Sequence, residues 1–429
     1  MNDTAEFLHP RDELMQTMER IYRYRMTTTS GGNLSLREAD GRIWITPARL
    51  DKGGLRREDI VCVLSDSSVE GLHKPSSEFP FHRMIYETRP DLGGIVHAHA
   101  VALVAFSITG QVPDTRLFHQ SRHVCGEVGF APYALPGSPA LGQSIARTFE
   151  QGYHCVVLEN HGVVVGGETF QNAFQRFETL EFTAKTIIKA RLLGEVRYLT
   201  EAEIELPRRI PPLPTFERMG PSSREKEMRK QLTDFIRRGY QQRLFISTEG
   251  SFSARVDEHS FLITPHHVDR HRIGVEDLVL VERGRAEAGK TASRAARNHQ
   301  AIYDAYPEFG AVLNASPVNA TAFSVTSAVL DSRTIPESYI LLRNVGRVPY
   351  GIQFESPEEL AQEVTPQRPI VLLENDGVLV AGANVLEAFD RLEVLESTSE
   401  ALINSRLVGK VAPMSDAVIE ELDQVFLAM

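Results

Sequence analysis

Residues 28–61 read TTSGGNLSLREADGRIWITPARLDKGGLRREDIV, and residues 246–279 read ISTEGSFSARVDEHSFLITPHHVDRHRIGVEDLV. At an offset of 218, Leu36-Arg37 falls on Ala254-Arg255, Thr46-Pro47 on Thr264-Pro265 and Asp59 on Asp277. Further along, FHRMIYETRPDLGGIVHAHA (81–100) matches NHQAIYDAYPEFGAVLNASP (298–317) at offset 217. LENHGVVVGGETFQNAFQRFETLE (158–181) then matches LENDGVLVAGANVLEAFDRLEVLE (373–396) at offset 215, and RLLGEV (191–196) answers RLVGKV (406–411). An offset that drifts by only three residues over this length identifies two copies of one domain with almost no insertions.

The 429 residues therefore divide into a first domain, 1–203, and a second, 227–429. Between them, IELPRRIPPLPTFERMGPSSREK (204–226) is rich in proline and charge without a helical period. It is expected as an extended, stiff linker with the boundary near residue 215. Within each copy, LMQTMERIYRYR (14–25) and LTDFIRRGYQQR (232–243) each carry one apolar helical stripe. GRIWIT and IVCVL have the pattern of strands, and GGIVHAHAV and CVVLENHGVVVGG that of buried strands bounded by glycine. Strands alternating with helices predict an α/β fold, a layered sheet with helices packed on its faces, duplicated in tandem.

Composition narrows the trade. Hydrophobic residues make up 42% and charged residues 24%, an ordinary folded profile. A formal charge of -11 disfavours phosphate backbones and anionic lipid, so neither nucleic acid nor a membrane surface is expected as a partner. Cys62, Cys125 and Cys155 are too few and scattered for a disulfide framework or a thiolate zinc site. The N-terminus lacks a basic-then-apolar signal pattern and no apolar run approaches spanning length, so a cytoplasmic location is expected.

The strongest chemical signal is His97-Ala98-His99 in the strand GGIVHAHAV. Side chains two apart in a strand share a face, so both imidazoles can reach one ion. His161, in LENHG, supplies a third, and three imidazoles with an open position make a catalytic type of zinc site. An isolated HxH is also what two packed histidines look like, and the second copy separates these readings. There His97 becomes Asn314, His99 becomes Ser316, His161 becomes Asp376 and Glu78 becomes Ala295, whereas His82/His299, Glu159/Glu374 and Glu178/Glu393 are kept. The reactive groups vanish as a set while the frame survives, so they form one functional unit, and retained His82 is structural.

Glu78 opens a helix after Pro75-Ser76-Ser77, where a carboxylate also complements the helix dipole. Beside a metal-bound substrate it is placed to act as general base. Ser76 and Ser77 offer an anion cradle at a helix start. Gly32, Asn33 and Thr46 sit at turns where neutral donors can surround a phosphate.

GGNLSL (31–36), ITP (45–47), KPSSEFPFHRMIY (74–86), RPDLGGIVHAHA (89–100), APYALPG (131–137) and NHGVVVGG (160–167) follow one another as in the class II aldolase/adducin family. The chain resembles its fuculose-phosphate aldolase-like members over nearly all of residues 10–200. The second copy resembles the same domain without its metal site. The resemblance implies a three-layer α/β/α sandwich with a central mixed sheet, and sites between subunits of a fourfold ring. It implies Zn2+ or another divalent transition metal, one per chain, on His97, His99 and His161, with Glu78 as acid/base. It further implies that Asn33, Thr46, Ser76 and Ser77 hold a substrate phosphate. Two chains are then expected to pair into a four-domain ring.

Two positions depart from the pattern. Ala48-Arg49 stand where the aldolases have Ser-Gly, and Phe118 stands where they place a proton-donating tyrosine, with His119 as a conceivable substitute. The leading expectation is reversible aldol cleavage of a small ketose phosphate or related hydroxy-ketone. The alternatives are metal-dependent decarboxylation or dehydration of a sugar-acid or sugar-phosphate substrate, and a non-catalytic adducin-like scaffold.

Overall fold

In a computed structural model, which describes residues 8–427, the repeat becomes two separately folded sheets. The first compact unit comprises residues up to Thr115 with Gln120–Lys185, and the second comprises Arg116–His119 with residues from Thr186 onward. The first sheet holds β1 (Asn33–Arg37), β2 (Ile43–Ile45), β3 (Val61–Val63), β4 (Val69–Glu70), β5 (Gly94–Ala98), β6 (Val128–Ala131), β7 (Cys155–Leu158) and β8 (Gly162–Gly167). Their spatial order is β4-β3-β2-β1-β5-β8-β7-β6. All pairs are antiparallel except β6–β7, so the sheet is mixed.

The second sheet contains β9 (Thr215–Phe216), β10 (Ser251–Arg255), β11 (Ser260–Ile263), β12 (Val279–Glu282), β13 (Arg285–Glu287), β14 (Ala311–Ala315), β15 (Gly346–Val348), β16 (Ile370–Leu373) and β17 (Gly377–Gly382). Its order, β9-β13-β12-β11-β10-β14-β17-β16-β15, is the first sheet's order with one strand added. That added strand comes from the stretch expected as linker: Thr215 and Phe216 pair in parallel with Ala286 and Glu287. Pro214 supplies only a carbonyl there, accepting from Ala286 N–H at 2.8 Å, which an edge position allows.

Helices cover both faces of each sheet because the central strands are apolar on both sides. In the first unit Ile95, Val156 and Val164 face Phe81 and Ile85 of the helix Phe79–Thr88 and Leu141, Ile145 and Phe149 of the helix Pro139–Glu150. The alternate residues Val96, Val157, Val163 and Val165 are equally buried on the other side. Ser138 caps the second of these helices, its hydroxyl accepting from Leu141 N–H at 3.2 Å ahead of Pro139 at the first position. Among the described residues no helix is long and apolar enough to cross a membrane, and the three cysteines are buried and free.

Gly167 and Gly382 end β8 and β17 where the following helix crosses closely. A Cβ at Gly167 would lie 2.3 Å from the Ala173 nitrogen, and one at Gly382 2.6 Å from the Ala388 nitrogen. Gly167→Ala and Gly382→Ala should therefore each lower stability by about 1–3 kcal/mol through overpacking, measured by urea unfolding. An unchanged midpoint in both would show that these crossings are not tight.

Candidate metal centre

Strand β5 and the β7–β8 turn bring three histidines together. His97 is fully buried on β5, and its Nδ1–H donates to the Val163 carbonyl of neighbouring β8 at 2.9 Å. That bond fixes a proton on Nδ1 and turns Nε2 towards His99 and Glu78. His99 follows two residues on, with Nε2 3.2 Å from His97 Nε2. His161 enters from the turn, where Asn160 has φ 52 and the His161 N–H donates to Ser107 Oγ at 2.9 Å. Gly162 is required beside it: a Cβ would stand 2.7 Å from the Ala98 carbonyl oxygen.

The ligand atoms of the three imidazoles lie within 4.8 Å of one another, the one such group among the described residues. His161 Nδ1 is buried without a hydrogen-bond partner. Two imidazole nitrogens 3.2 Å apart need a cation or proton between them. The spacing also matches the ~3.3 Å separation of two nitrogens on a tetrahedral ion with ordinary Zn–N lengths. Burial, then repulsion from His97, pushes His99 down to about 3 and His161 down to about 4, so both present neutral imidazoles at neutral pH. The donor set fits a divalent transition metal.

Glu78 precedes the helix Phe79–Thr88 and points its carboxylate at the triad, with Oε2 3.3 Å from His97 Nε2 and Oε1 3.6 Å from His161 Nε2. Burial works against its charge. His97, Asn33 and His161 outweigh that and hold the carboxyl well below the ordinary range. Asn33 Nδ2 donates to Glu78 Oε2 at 2.7 Å, and its Oδ1 accepts from His82 Nε2–H at 2.5 Å. His82 Nδ1 then accepts from Ser35 Oγ–H at 2.7 Å, and Ser35 accepts from Tyr86 O–H at 2.9 Å. Burial drives His82 down to about 3, so the ring is neutral and each bond has one consistent direction.

The remaining sequence candidates gather around this frame. Gly32, at φ 73, lets β1 start beside β5: a Cβ would be 2.6 Å from the His97 carbonyl oxygen. Thr46 is buried, its Oγ1 accepting from Leu34 N–H at 3.1 Å. Ser76 N–H donates to the Thr46 carbonyl at 3.2 Å, and Ser76 Oγ accepts from Glu78 N–H at 3.3 Å. Ser77 is exposed. His73 pairs with Asp59 at 2.9 Å, and His154 lies 3.1 Å from Arg89, so neither joins the triad. His119 belongs to the second unit, buried, with Nε2 3.4 Å from Asp376.

Sequence reasoning passed over Lys52. It is 3% exposed, donates from Nζ to the Pro47 carbonyl at 2.7 Å, and burial pushes its ammonium down to about 8 despite attraction from Glu78. The available signal was its counterpart Arg270, which keeps a cation at the same place in the second copy.

The sequence profile of the family described as Class II Aldolase and Adducin N-terminal domain matches residues 12–188 and again 230–403. A 3-oxo-tetronate 4-phosphate decarboxylase of Haemophilus influenzae is 34% identical over 199 residues, covering 45% of this chain and 93% of that protein. A 5-methylthioribulose-1-phosphate/5-deoxyribulose-1-phosphate aldolase of Rhodospirillum rubrum is 32% identical over 190 residues, covering 42% of this chain and 84% of that one. Among solved structures, an L-fuculose 1-phosphate aldolase superposes with a TM-score of 0.42 at 31% identity, over 46% of this chain and 93% of its own.

His97→Ala should abolish tight binding of a divalent ion, whereas Asn314→Ala should leave about one ion per chain by elemental analysis. Equal metal content in the two variants would move the ion away from the triad.

Proposed function

Because the chain belongs to the class II aldolase and adducin family, we propose that its first unit is a metal-dependent lyase that breaks a C–C bond beside a carbonyl in a small sugar phosphate or sugar-acid phosphate. The observation that carries this is the convergence of three imidazoles and one oriented carboxylate in one copy only. A divalent cation on His97, His99 and His161 would supply the positive charge that stabilises a developing oxyanion. Gly32, Asn33, Thr46, Ser76 and Ser77 border the site, and the exposed Ser77 hydroxyl is available to a phosphate. Lys52 adds a buried cation beside Glu78.

Glu78 is the proton carrier. Asn33 holds Oε2, leaving the carboxylate to exchange a proton with the carbon from which the bond has been broken. Decarboxylation takes precedence over retro-aldol cleavage on one further point. A retro-aldol step must remove a proton from the departing hydroxyl, and the family's tyrosine for that task is Phe118 here and Ile335 in the second copy. Loss of CO2 needs no such partner, since the electron pair of the broken bond passes to the carbonyl and only the carbon is then protonated. Retro-aldol cleavage remains the second reading, supported by the aldolases among the relatives.

Assembly follows from an asymmetry between matched residues. In the second unit Asn375 is fully buried, its Nδ2 donating to the Leu117 and Arg197 carbonyls at 2.9 Å. Its counterpart Asn160 is exposed. The segment around Leu117 also has a counterpart: Leu199 N–H donates to the Arg116 carbonyl at 2.9 Å, and Met414 N–H to the Arg333 carbonyl at 2.8 Å. Phe118 is 3% exposed, but Ile335 at the matched position is 51% exposed and nearby Val329 84%. We propose that the arm bearing Ile335 docks beside Asn160 and His161 of a second copy of the chain, so that two chains close a ring of four domains.

Glu78→Gln should retain about one metal ion per chain while turnover falls by about 10²–10⁴-fold. A screen of phosphorylated 3-oxo sugar acids and phosphoketoses, with and without chelator, should show CO2 release. Aldehyde release instead would select the retro-aldol reading, and a metal-free, inactive chain would leave the scaffold. In light scattering the protein should run as a dimer and Ile335→Asp as a monomer; a monomeric, fully active wild type would refute the ring.

A further inference from the structure

The second unit has lost the metal ligands, yet the same corner of its sheet has acquired charge. Arg294 replaces Ser77 and, among the described residues, makes no hydrogen bond or ion pair, although it is only partly exposed. Several other arginines of this unit are anchored: Arg229 to Glu225 and Glu287, Arg255 to Phe309 and Tyr303 carbonyls, Arg347 to Phe323 and Ala328 carbonyls, Arg391 to the Ala381 carbonyl. A guanidinium partly withdrawn from water with five unused donors is an incomplete arrangement.

Its surroundings supply more donors. The turns on either side are stitched together, His266 N–H donating to the Thr291 carbonyl at 2.9 Å and Ser293 N–H to the Thr264 carbonyl at 3.1 Å. This brings His266 and His267, whose rings are 3.7 Å apart, into the field of Arg294. Thr264, 1% exposed, has a buried Oγ1 with no hydrogen-bond partner. The helix Ala296–Ala305 starts here, with no acidic residue in its first turn and no side-chain cap. Arg270 is buried and committed, its guanidinium donating to the Gly250 and Val268 carbonyls.

Glu249 feels the charge of Arg294, but among the described residues neither nearby acid forms an ion pair with it. Asp376 accepts from Gln353 Nε2 at 3.3 Å and faces His119. Burial pushes Glu249 up to about 7, towards its neutral form, with Arg294 and Arg270 opposing. Burial, then repulsion from His267, Arg294 and Arg270, keeps His266 down at about 4, and an arriving anion would relieve that repulsion.

We propose that the second unit is a non-catalytic binding site for the phosphate group of a small metabolite, held by Arg294, His266, His267 and the Thr264 hydroxyl. No bond is made or broken there, since the second copy lacks both the triad and Glu78. The assignment stands apart from the lyase reading, because it concerns binding in the other copy and is read without turnover.

The test is equilibrium dialysis of the full chain against inorganic phosphate. The wild type should show a phosphate site that Arg294→Gln weakens about tenfold or more, the loss of one charge-assisted contact. Arg294→Lys should restore part of it, and Ser77→Ala in the first copy should leave it intact. Phosphate binding unchanged in Arg294→Gln, or lost entirely in Ser77→Ala, would overturn the proposal. So would displacement of phosphate by malonate at equal concentration. If Arg294→Gln loses its fold by circular dichroism, a His266→Gln, His267→Gln double variant is judged by the same criterion.

Discussion

A single buried chain of hydrogen bonds ties the working carboxylate to the core. It runs from the Tyr86 hydroxyl through Ser35, His82 and Asn33 to Glu78, and every donor along it has one acceptor. Burial keeps the His82 ring neutral, so the direction of the chain cannot reverse without an unpaired polar group inside the protein. Asn33 must therefore turn its amide hydrogens towards Glu78. The strand pairing β1–β5, with Asn33 opposite His97, then places that carboxylate against the imidazoles.

The second unit retains the same device and changes where it ends. Tyr303 and Ser253 meet at 2.8 Å, Ser253 meets His299 at 2.7 Å, and His299 Nε2–H donates to Asn314 Oδ1 at 2.7 Å. Asn314 stands at the position of His97, so the ring that steers the site in one copy holds the residue at a vacated ligand position in the other. This explains why the histidine outlives the metal ligands: removing it would take the partner of the Asn314 amide oxygen out of the core.

Much of this was legible in the amino-acid sequence because duplication supplies an internal control. The layered sheet, its doubling and the three imidazoles follow from pattern, from register and from what the second copy lost, and the mixed strand order from the family resemblance. The less visible parts depend on contacts distant in sequence. Asn33 looks like a phosphate donor in a turn, and only the fold shows its amide committed to Glu78 and His82. Lys52 carries no motif, and its significance is its burial. Thr215 and Phe216, in a proline-rich stretch without strand pattern, join a sheet because an open edge beside β13 accepts them.

The short segment Arg116–His119 lies with the second unit, and its counterpart around Ile335 is written separately, 217 residues later. In a protein built from identical single domains, one codon specifies every copy of such an arm, so an arm and its receptor cannot be adjusted without altering all sites together. Tandem duplication removes that coupling. His119 can adapt to Asp376 while Ile335 drifts under other demands, and each copy can acquire its own chemistry without disturbing the other.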